Sequence, residues 1–332
     1  MAVPDFQSTW IVVPYYHGEK YLRKILAPLQ DMIASGLNIV FVDNSAENEA
    51  KIPSTLAEDL DIAFHVMRTQ PRIGFGRACN LGAEYARRHG ACRIILLNQD
   101  AVLTKNALHH LLETADAKTN SILAPLEVDP VTGQFHPQYA EWYLRGITAT
   151  LPTTPCELPA HLIPRNTLCG MCLLIPMDAI ENIGLFDPLF TMYGEDGDFC
   201  ARASDAGVEM HIVPQAVVAH EHSNLRKTGP EHARIVVWTR ESKLLKALRD
   251  KPSFAITVGK AIVQRFGERI YDGLKLRDFD RLRFSFESDQ RLWRKRAMIL
   301  SARKGESPAE RGLRVALTDL RAAKIYQVNV DK

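Results

Sequence analysis

Two aspartates stand at the ends of short apolar runs, where a side chain can do chemistry. Leu96 to Leu103 reads LLNQDAVL, so one run ends in Asn98, Gln99 and Asp100, and Ile39 to Asp43 reads IVFVD and leads into Asn44 and Ser45. A carboxylate so placed can hold a hard divalent cation. Mg²⁺ or Mn²⁺ takes one or two protein carboxylates and fills its other positions with water and phosphate oxygens, so Asp100 suffices if a diphosphate supplies the rest. Asp43 can instead accept hydrogen bonds from a base or ribose. Taken singly, each also fits a turn or helix-cap aspartate.

A third segment, MYGEDGDFCARA from Met192, gathers Glu195, Asp196 and Asp198 at a helix start. Acids there complement the helix dipole, and one of them could also take the proton from an attacking hydroxyl; Asp196 is the candidate base. In VVAHEHS from Val217, another apolar run ends in His220, Glu221 and His222. An imidazole at a strand end is a credible metal ligand, but no Cys or third His accompanies the pair, which argues against zinc. RIGFGRACNLG from Arg72 holds Gly74, Gly76 and Gly82 but has Cys79 where a dinucleotide fingerprint needs its third glycine. Arg72 and Arg77 could neutralise a diphosphate. The Cys169/Cys172 pair opens no helix and has no second pair, so two small residues at a strand start account for it better than a redox or zinc site.

These residues need a scaffold that brings strand ends together. Apolar runs at Trp10 to Val13, Ile39 to Val42, Ile62 to Val66, Ile94 to Leu97 and Ile122 to Leu123 suit strands buried on both faces. Amphipathic stretches at Glu19 to Ser35, Ala78 to His89 and Thr104 to Ala115 separate them as helices, with Thr104 as a cap. Such alternation implies a Rossmann-type α/β fold with a mostly parallel sheet flanked by helices. Residues 131–165, with Pro152, Pro155, Pro159 and Pro164, read as a long mobile loop. A strand over Leu168 to Ile175, helices over Asp178 to Ile183 and Asp198 to Ala206, and short apolar runs at Met210 to Val213 and Ala216 to Ala219 follow. Beyond His222 come helices over Glu231 to Arg249, Phe254 to Tyr271, Arg291 to Lys304 and Ala309 to Tyr326. The boundary is placed after residue 223, giving a catalytic domain over 1–223 and a helical region over 224–332.

Charge divides at the same place. Residues 1–223 carry 15 Lys/Arg against 26 Asp/Glu, a balance of −11, and residues 224–332 carry 26 against 13, a balance of +13. The basic part suits an anionic membrane surface, with apolar Val236, Val237, Trp238, Leu244 and Leu245 beside the charges, and it equally suits packing on the acidic part or a homo-oligomer. No nucleic-acid partner is expected. No stretch resembles a signal peptide or a transmembrane helix, and the six cysteines are scattered, so a cytoplasmic enzyme with reduced thiols is expected.

Together, VVPYY from Val12, VDNS from Val42, RIGFGRACNLG, LLNQD, CGMCLLIP, the GEDGD cluster and VVAH resemble the family-two glycosyltransferases of the GT-A fold. LLNQD and GLFDPLFTMYGEDGDFCARA are most similar to its bacterial rhamnosyltransferase branch. The resemblance covers roughly residues 9–223. It implies an inverting transfer of a sugar, L-rhamnose from dTDP-rhamnose being favoured, from a nucleoside-diphosphate donor to a saccharide or lipid-linked saccharide acceptor in cell-surface polysaccharide assembly. Pro14, Tyr15 and Asp43 would contact the nucleoside, with Arg72, Gly74, Arg77, Asn98, Gln99 and Glu195 lining the donor site. Asp100 would hold Mg²⁺ or Mn²⁺ as the last member of the family's Asp-x-Asp motif, His220 would be a further ligand, and Asp196 would be the base. Asn98 stands where many relatives carry the first Asp, and Tyr15–Tyr16 replaces the commoner Thr-Tyr. A sugar-nucleotide nucleotidyltransferase would open with a glycine-rich, basic loop, which Pro14 to Glu19 lacks. A noncatalytic sugar-binding relative would have little reason to keep both Asp100 and Asp196.

Overall fold

A computed structural model describes residues 6–45, 52, 55–70, 72–221, 229–250 and 253–328; His222 and the boundary after residue 223 lie outside them. Ten strands form one mixed sheet: β1 (Thr9–Tyr15), β2 (Asn38–Asp43), β3 (Phe64–Arg68), β4 (Arg93–Leu97), β5 (Ala101–Val102), β6 (Ile122–Val128), β7 (Ile163–Pro164), β8 (Cys172–Pro176), β9 (Met210–His220) and β10 (Lys324–Val328). Their order is β10-β3-β2-β1-β4-β8-β6-β9-β5, with β7 paired to β9. The pairs β3–β2–β1–β4 are parallel, as is β6–β9. Because β8 is antiparallel to both β4 and β6, those two share a direction, so six of the ten strands run one way.

The central strands are apolar at successive positions because both sheet faces are covered. In β1, Ile11, Val13 and Tyr15 face a core closed by the helices Glu19–Leu26 and Lys105–Ala117, and Trp10 and Val12 face the helix Phe75–Arg88. That last helix lies so close that a Cβ on Gly82 would stand 2.4 Å from Val12 Cγ1. Thr104 caps its helix as expected, accepting a hydrogen bond from Ala107 N (3.2 Å).

Several boundaries differ from the sequence reading. Pro28 lacks an N–H and breaks the segment expected as one helix into Glu19–Leu26, a 3₁₀ turn and Gln30–Ala34. The two runs expected after Met210 form the single strand β9, whose pairing with β6 jumps from Pro125↔Val213 to Leu126↔Val217. Pro214 to Ala216 bulge outward, and the displaced register aims the end of β9. The segment read as a mobile loop is packed: Phe135, Tyr139, Leu144 and Ile163 are buried in the core, and Ile163 pairs with Ile212 of β9. Its apolar residues are too widely spaced to show a period.

Beyond residue 229, the helices Pro230–Asp250, Phe254–Ile270, Phe279–Arg294, Arg296–Arg303 and Pro308–Ala322 form the expected helical region. The helix expected from Arg291 is two, broken at Lys295, and the first starts at Phe279 because Asp278 accepts a cap bond from Arg281 N (3.0 Å). The helix expected to reach Tyr326 ends at Ala322, and Lys324–Val328 instead pairs antiparallel with β3 at the sheet edge. The apolar residues first considered for a membrane surface pack inward: Val237 and Leu245 are buried, and Val236, Trp238 and Leu244 are half-buried. Among the described residues no helix is long and apolar enough to cross a membrane.

Candidate active site

The crevice outside the carboxyl ends of β1, β2 and β4 is where open α/β sheets bind ligands. Tyr15 and Asp43 close β1 and β2 side by side. Asp43 is fully buried; its Oδ1 accepts from Ser45 N (3.0 Å), and its Oδ2 lies 3.7 Å from Arg68 Nε and accepts no hydrogen bond among the described residues. Asn44 Oδ1 accepts from Ile73 N (2.7 Å) and Thr69 Oγ1 (3.2 Å), which ties the approach to Gly74, the cap of the helix Phe75–Arg88, to the end of β2. Pro14 is half-buried in β1.

The two adjacent tyrosines part company. Tyr15 is fully buried with its ring edge toward Phe41 (6.4 Å between centroids), and burial pushes its hydroxyl pKa well up. Tyr16 is exposed, and the Arg72 guanidinium lies 3.7 Å from its ring centroid. Gln99 brackets this corner: its Oε1 accepts from Tyr16 N (2.7 Å) and its Nε2 donates to Tyr16 O (3.0 Å). Its amide therefore ties the residue after β1 to the turn after β4, beyond the last backbone pair, Val12↔Leu96. Arg77 points away toward Asp319 of the helix Pro308–Ala322, with Nε 3.0 Å from Oδ2, a bidentate pair that occupies the guanidinium.

Asp100 stands in the turn between β4 and β5, and the next residue, Ala101, is paired with His220 across β5 and β9. The register places His220 Nε2 3.1 Å from Asp100 Oδ1 and Nδ1 3.0 Å from Glu127 Oε1. Burial disfavours the imidazolium, but the two carboxylates outweigh it and push the pKa up to about 9. Glu127, buried in β6, was not picked out in the sequence; the signal was a carboxylate inside the apolar run ILAPLEV. Glu127 Oε2 also accepts from Cys169 Sγ (3.2 Å), so the first cysteine of the C-x-x-C belongs to this chain of polar groups. Burial raises its thiol pKa well above the ordinary range, and all six cysteines are free.

The turn after Cys169 reaches the candidate base. A Cβ on Gly170 would stand 3.0 Å from Cβ of Asp196 and 3.3 Å from its Oδ2, so a side chain there would press on that carboxylate. Asp196, half-buried at the start of the helix Glu195–Asp205, accepts from Gly197 N (2.8 Å). Burial raises its pKa although the amides of Gly197 and Gly170 oppose the shift. Thus Asp100, His220, Glu127, Cys169, Gly170 and Asp196 follow one another in contact. Glu195 is buried beside Asp196, its Oε2 has no hydrogen-bond partner among the described residues, and burial with the neighbouring charge raises its pKa to about 8. Asp198 is different: it is held by Arg202 Nε (2.9 Å) and by Arg249.

Asn98 is half-buried at the end of β4, its backbone N–H donating to Met171 O (2.9 Å). Among the described residues no group of three or more His, Cys, Asp or Glu is disposed to hold a metal by itself. The donor set nevertheless fits a cation that shares its shell with a diphosphate. Asp100 and His220 present one carboxylate and one ring nitrogen within 3.1 Å, and Glu127 fixes the other ring nitrogen, the usual support for a ligating imidazole.

Comparison with known proteins bears on the family and the fold. The profile of Glycosyl transferase family 2 matches residues 10–175, half of the chain. The dTDP-rhamnosyl transferase RfbF of Shigella flexneri is 21% identical over 213 residues, covering 64% of this chain and 69% of that protein. A pre-mycofactocin glycosyltransferase of Mycobacterium tuberculosis is 25% identical over 226 residues, 66% of this chain but 44% of that protein. An N-acetylglucosaminyl-diphospho-decaprenol L-rhamnosyltransferase of the same species is 25% identical over 243 residues, 66% of this chain and 78% of that protein. Among solved structures, GalNAc-T7 with UDP, GalNAc and Mn²⁺ superimposes with a TM-score of 0.51 at 14% identity, covering 75% of this chain and 52% of that one, which supports the fold alone. With the family profile spanning the strands that lead into Asp43 and Asp100, the chain belongs to Glycosyl transferase family 2 and has the GT-A fold.

Proposed function

We propose that this enzyme is an inverting, metal-dependent glycosyltransferase using a nucleoside-diphosphate sugar. The observation that carries the reading is the unbroken chain of contacts from Asp100 through His220, Glu127 and the Cys169–Gly170 turn to Asp196. On this reading it links a cation-binding pair to a proton acceptor. Exposed Tyr16, backed by Arg72, offers the base a stacking face that buried Tyr15 does not, while Asp43 Oδ2 is left to accept from base or ribose. Asp100 and His220 Nε2 would hold Mg²⁺ or Mn²⁺, which when bound neutralises the departing diphosphate.

Asp196 accepts the acceptor hydroxyl's proton as that oxygen bonds to the anomeric carbon. The bond from that carbon to the diphosphate oxygen breaks on the opposite face, and its electron pair leaves with the diphosphate. A raised carboxyl pKa brings Asp196 nearer to working pH, where a base is most effective. One displacement inverts the centre. dTDP-L-rhamnose is the favoured donor because two relatives are named as rhamnosyltransferases, and the acceptor is a saccharide or a lipid-linked saccharide.

The test is donor turnover across a panel of nucleotide sugars with Mg²⁺ or Mn²⁺, with product anomer read by NMR. Turnover of dTDP-L-rhamnose with inversion, made independent of added cation by Asp100→Ala only at greatly reduced rate, is the expected result. Unchanged divalent-ion dependence in Asp100→Ala would move the metal elsewhere, and no turnover of any donor would favour a noncatalytic sugar-binding protein.

A further inference from the structure

The helix Phe254–Ile270 and the turn Tyr271–Lys275 after it are packed inside out. Arg265, Glu268, Arg269 and Asp272 face the protein. Arg265 Nε lies 2.7 Å from Asp289, Arg269 Nε donates to Ser285 Oγ (3.2 Å), and fully buried Asp272 is paired with Arg240. Phe254 and Val258 pack on the protein, but Ile256, Val263 (73% exposed), Phe266 (65%), Ile270 and Leu274 (78%) face solvent and recur at helical spacing along one outward stripe. Soluble helices normally bury that stripe, and a contiguous exposed one marks an interaction surface. Phe279 and Trp293 extend the apolar surface on the next helix.

What this stripe meets is indicated by its rim. Lys260, Lys275, Arg277 and Arg294 are exposed and form no ion pair among the described residues, whereas most other basic residues nearby are paired with acids. An apolar stripe flanked by unneutralised cations, with an aromatic at its edge, matches a helix lying in the interface of an anionic bilayer. A two-fold interface between copies of the chain would set this cationic rim against itself.

We propose that the segment 254–279 is an interfacial membrane anchor: its stripe enters the headgroup boundary of an anionic lipid surface, with Lys260, Lys275 and Arg277 on the phosphates. The inference deepens the reading of a lipid-linked acceptor and rests on it only for its purpose. An acceptor held in the bilayer is reached by an enzyme that lies on the same plane.

The experiment uses the full chain with vesicles of phosphatidylcholine alone or mixed with phosphatidylglycerol, in the absence of donor and acceptor. Co-sedimentation should be stronger on the anionic vesicles by about tenfold and weaken with salt. The triple variant Val263→Glu, Phe266→Glu, Leu274→Glu changes only solvent-facing positions; its melting temperature should match that of the parent while vesicle binding falls by about tenfold or more. Failure of the parent to bind anionic vesicles, or equal binding by the variant, overturns the anchor. So does light scattering that finds a dimer dissolved by the same substitutions, since the stripe would then belong to a second copy. Donor hydrolysis in solution, unaffected by the triple variant, reports separately on the transferase reading, so either idea can fail without the other.

Discussion

Two regions of this molecule treat buried carboxylates in opposite ways. Where the C-terminal helices meet the sheet-bearing part, acids are caged by arginines. Asp187 is bound by Arg311 Nε and Nη2 (both 2.9 Å) and by Arg249 Nη1 (2.7 Å), Asp198 by Arg202 and Arg249, Glu241 by Arg291, and Asp319 by Arg77. At the crevice, Asp43, Asp100, Glu127, Glu195 and Asp196 have far fewer cations. Asp43 has Arg68 at 3.7 Å, Asp100 and Glu127 share His220, which is pushed up to about 9, and burial raises Glu195 to about 8. The balances of −11 and +13 are therefore partly offset against each other across the interface, and the acids left without arginines lie at the crevice, where the proposed transfer would receive a cation and a proton.

The comparison can be broken most severely at Asp196. Asp196→Asn should lower the rate of transfer by about 10²–10⁴-fold with donor affinity nearly unchanged, read as a split between kcat and the donor dissociation constant. Near-full turnover would place the base elsewhere. On the caged side, Arg311→Leu leaves fully buried Asp187 short of its main partner and should cost about 3 kcal/mol in chemical denaturation, with the residual folded enzyme still active. A loss below about 1 kcal/mol would mean that Arg249 suffices.

Smaller changes sharpen the contrast. Glu127→Gln weakens the support of His220 and should reduce Mn²⁺ affinity by about 10–100-fold in a calorimetric titration. Glu195→Gln tests the uncaged acid through pH. Its folded pKa of about 8 lies above the ordinary value of 4.5, so the native state holds a proton that the unfolded chain releases. Its contribution to stability is full below 4.5 and is lost as pH rises toward 8. The melting temperature of Glu195→Gln should gain on that of the parent across this window, and parallel curves would show that Glu195 is ionised in the fold.

Much of the site was legible because each group ends an element whose period is written locally. Asp43 and Asp100 end apolar runs, Asp196 opens a helix, and His220 ends another run, so position along the chain already implied the crevice. Glu127 was not legible, since one acid in an apolar strand reads as an interruption until β6, β8 and β9 lie side by side. Cys169 gave a misleading cue for the same reason: its partner is a carboxylate 42 residues away, and not Cys172. Local spacing also could not divide Tyr15 from Tyr16 or Arg72 from Arg77. In each pair one member is withdrawn by a distant partner or by the core.

The sequence alone determined the α/β alternation, the strand ends that carry acids and the charge division between the two parts, because these depend on periods of a few residues and on composition. Tertiary structure decided which acids are neutralised and which are left to a ligand, that the last residues return to the sheet as β10, and that one helix turns its apolar face outward. Those outcomes depend on which surfaces meet, and a buried charge or an exposed stripe is defined only by what packs against it.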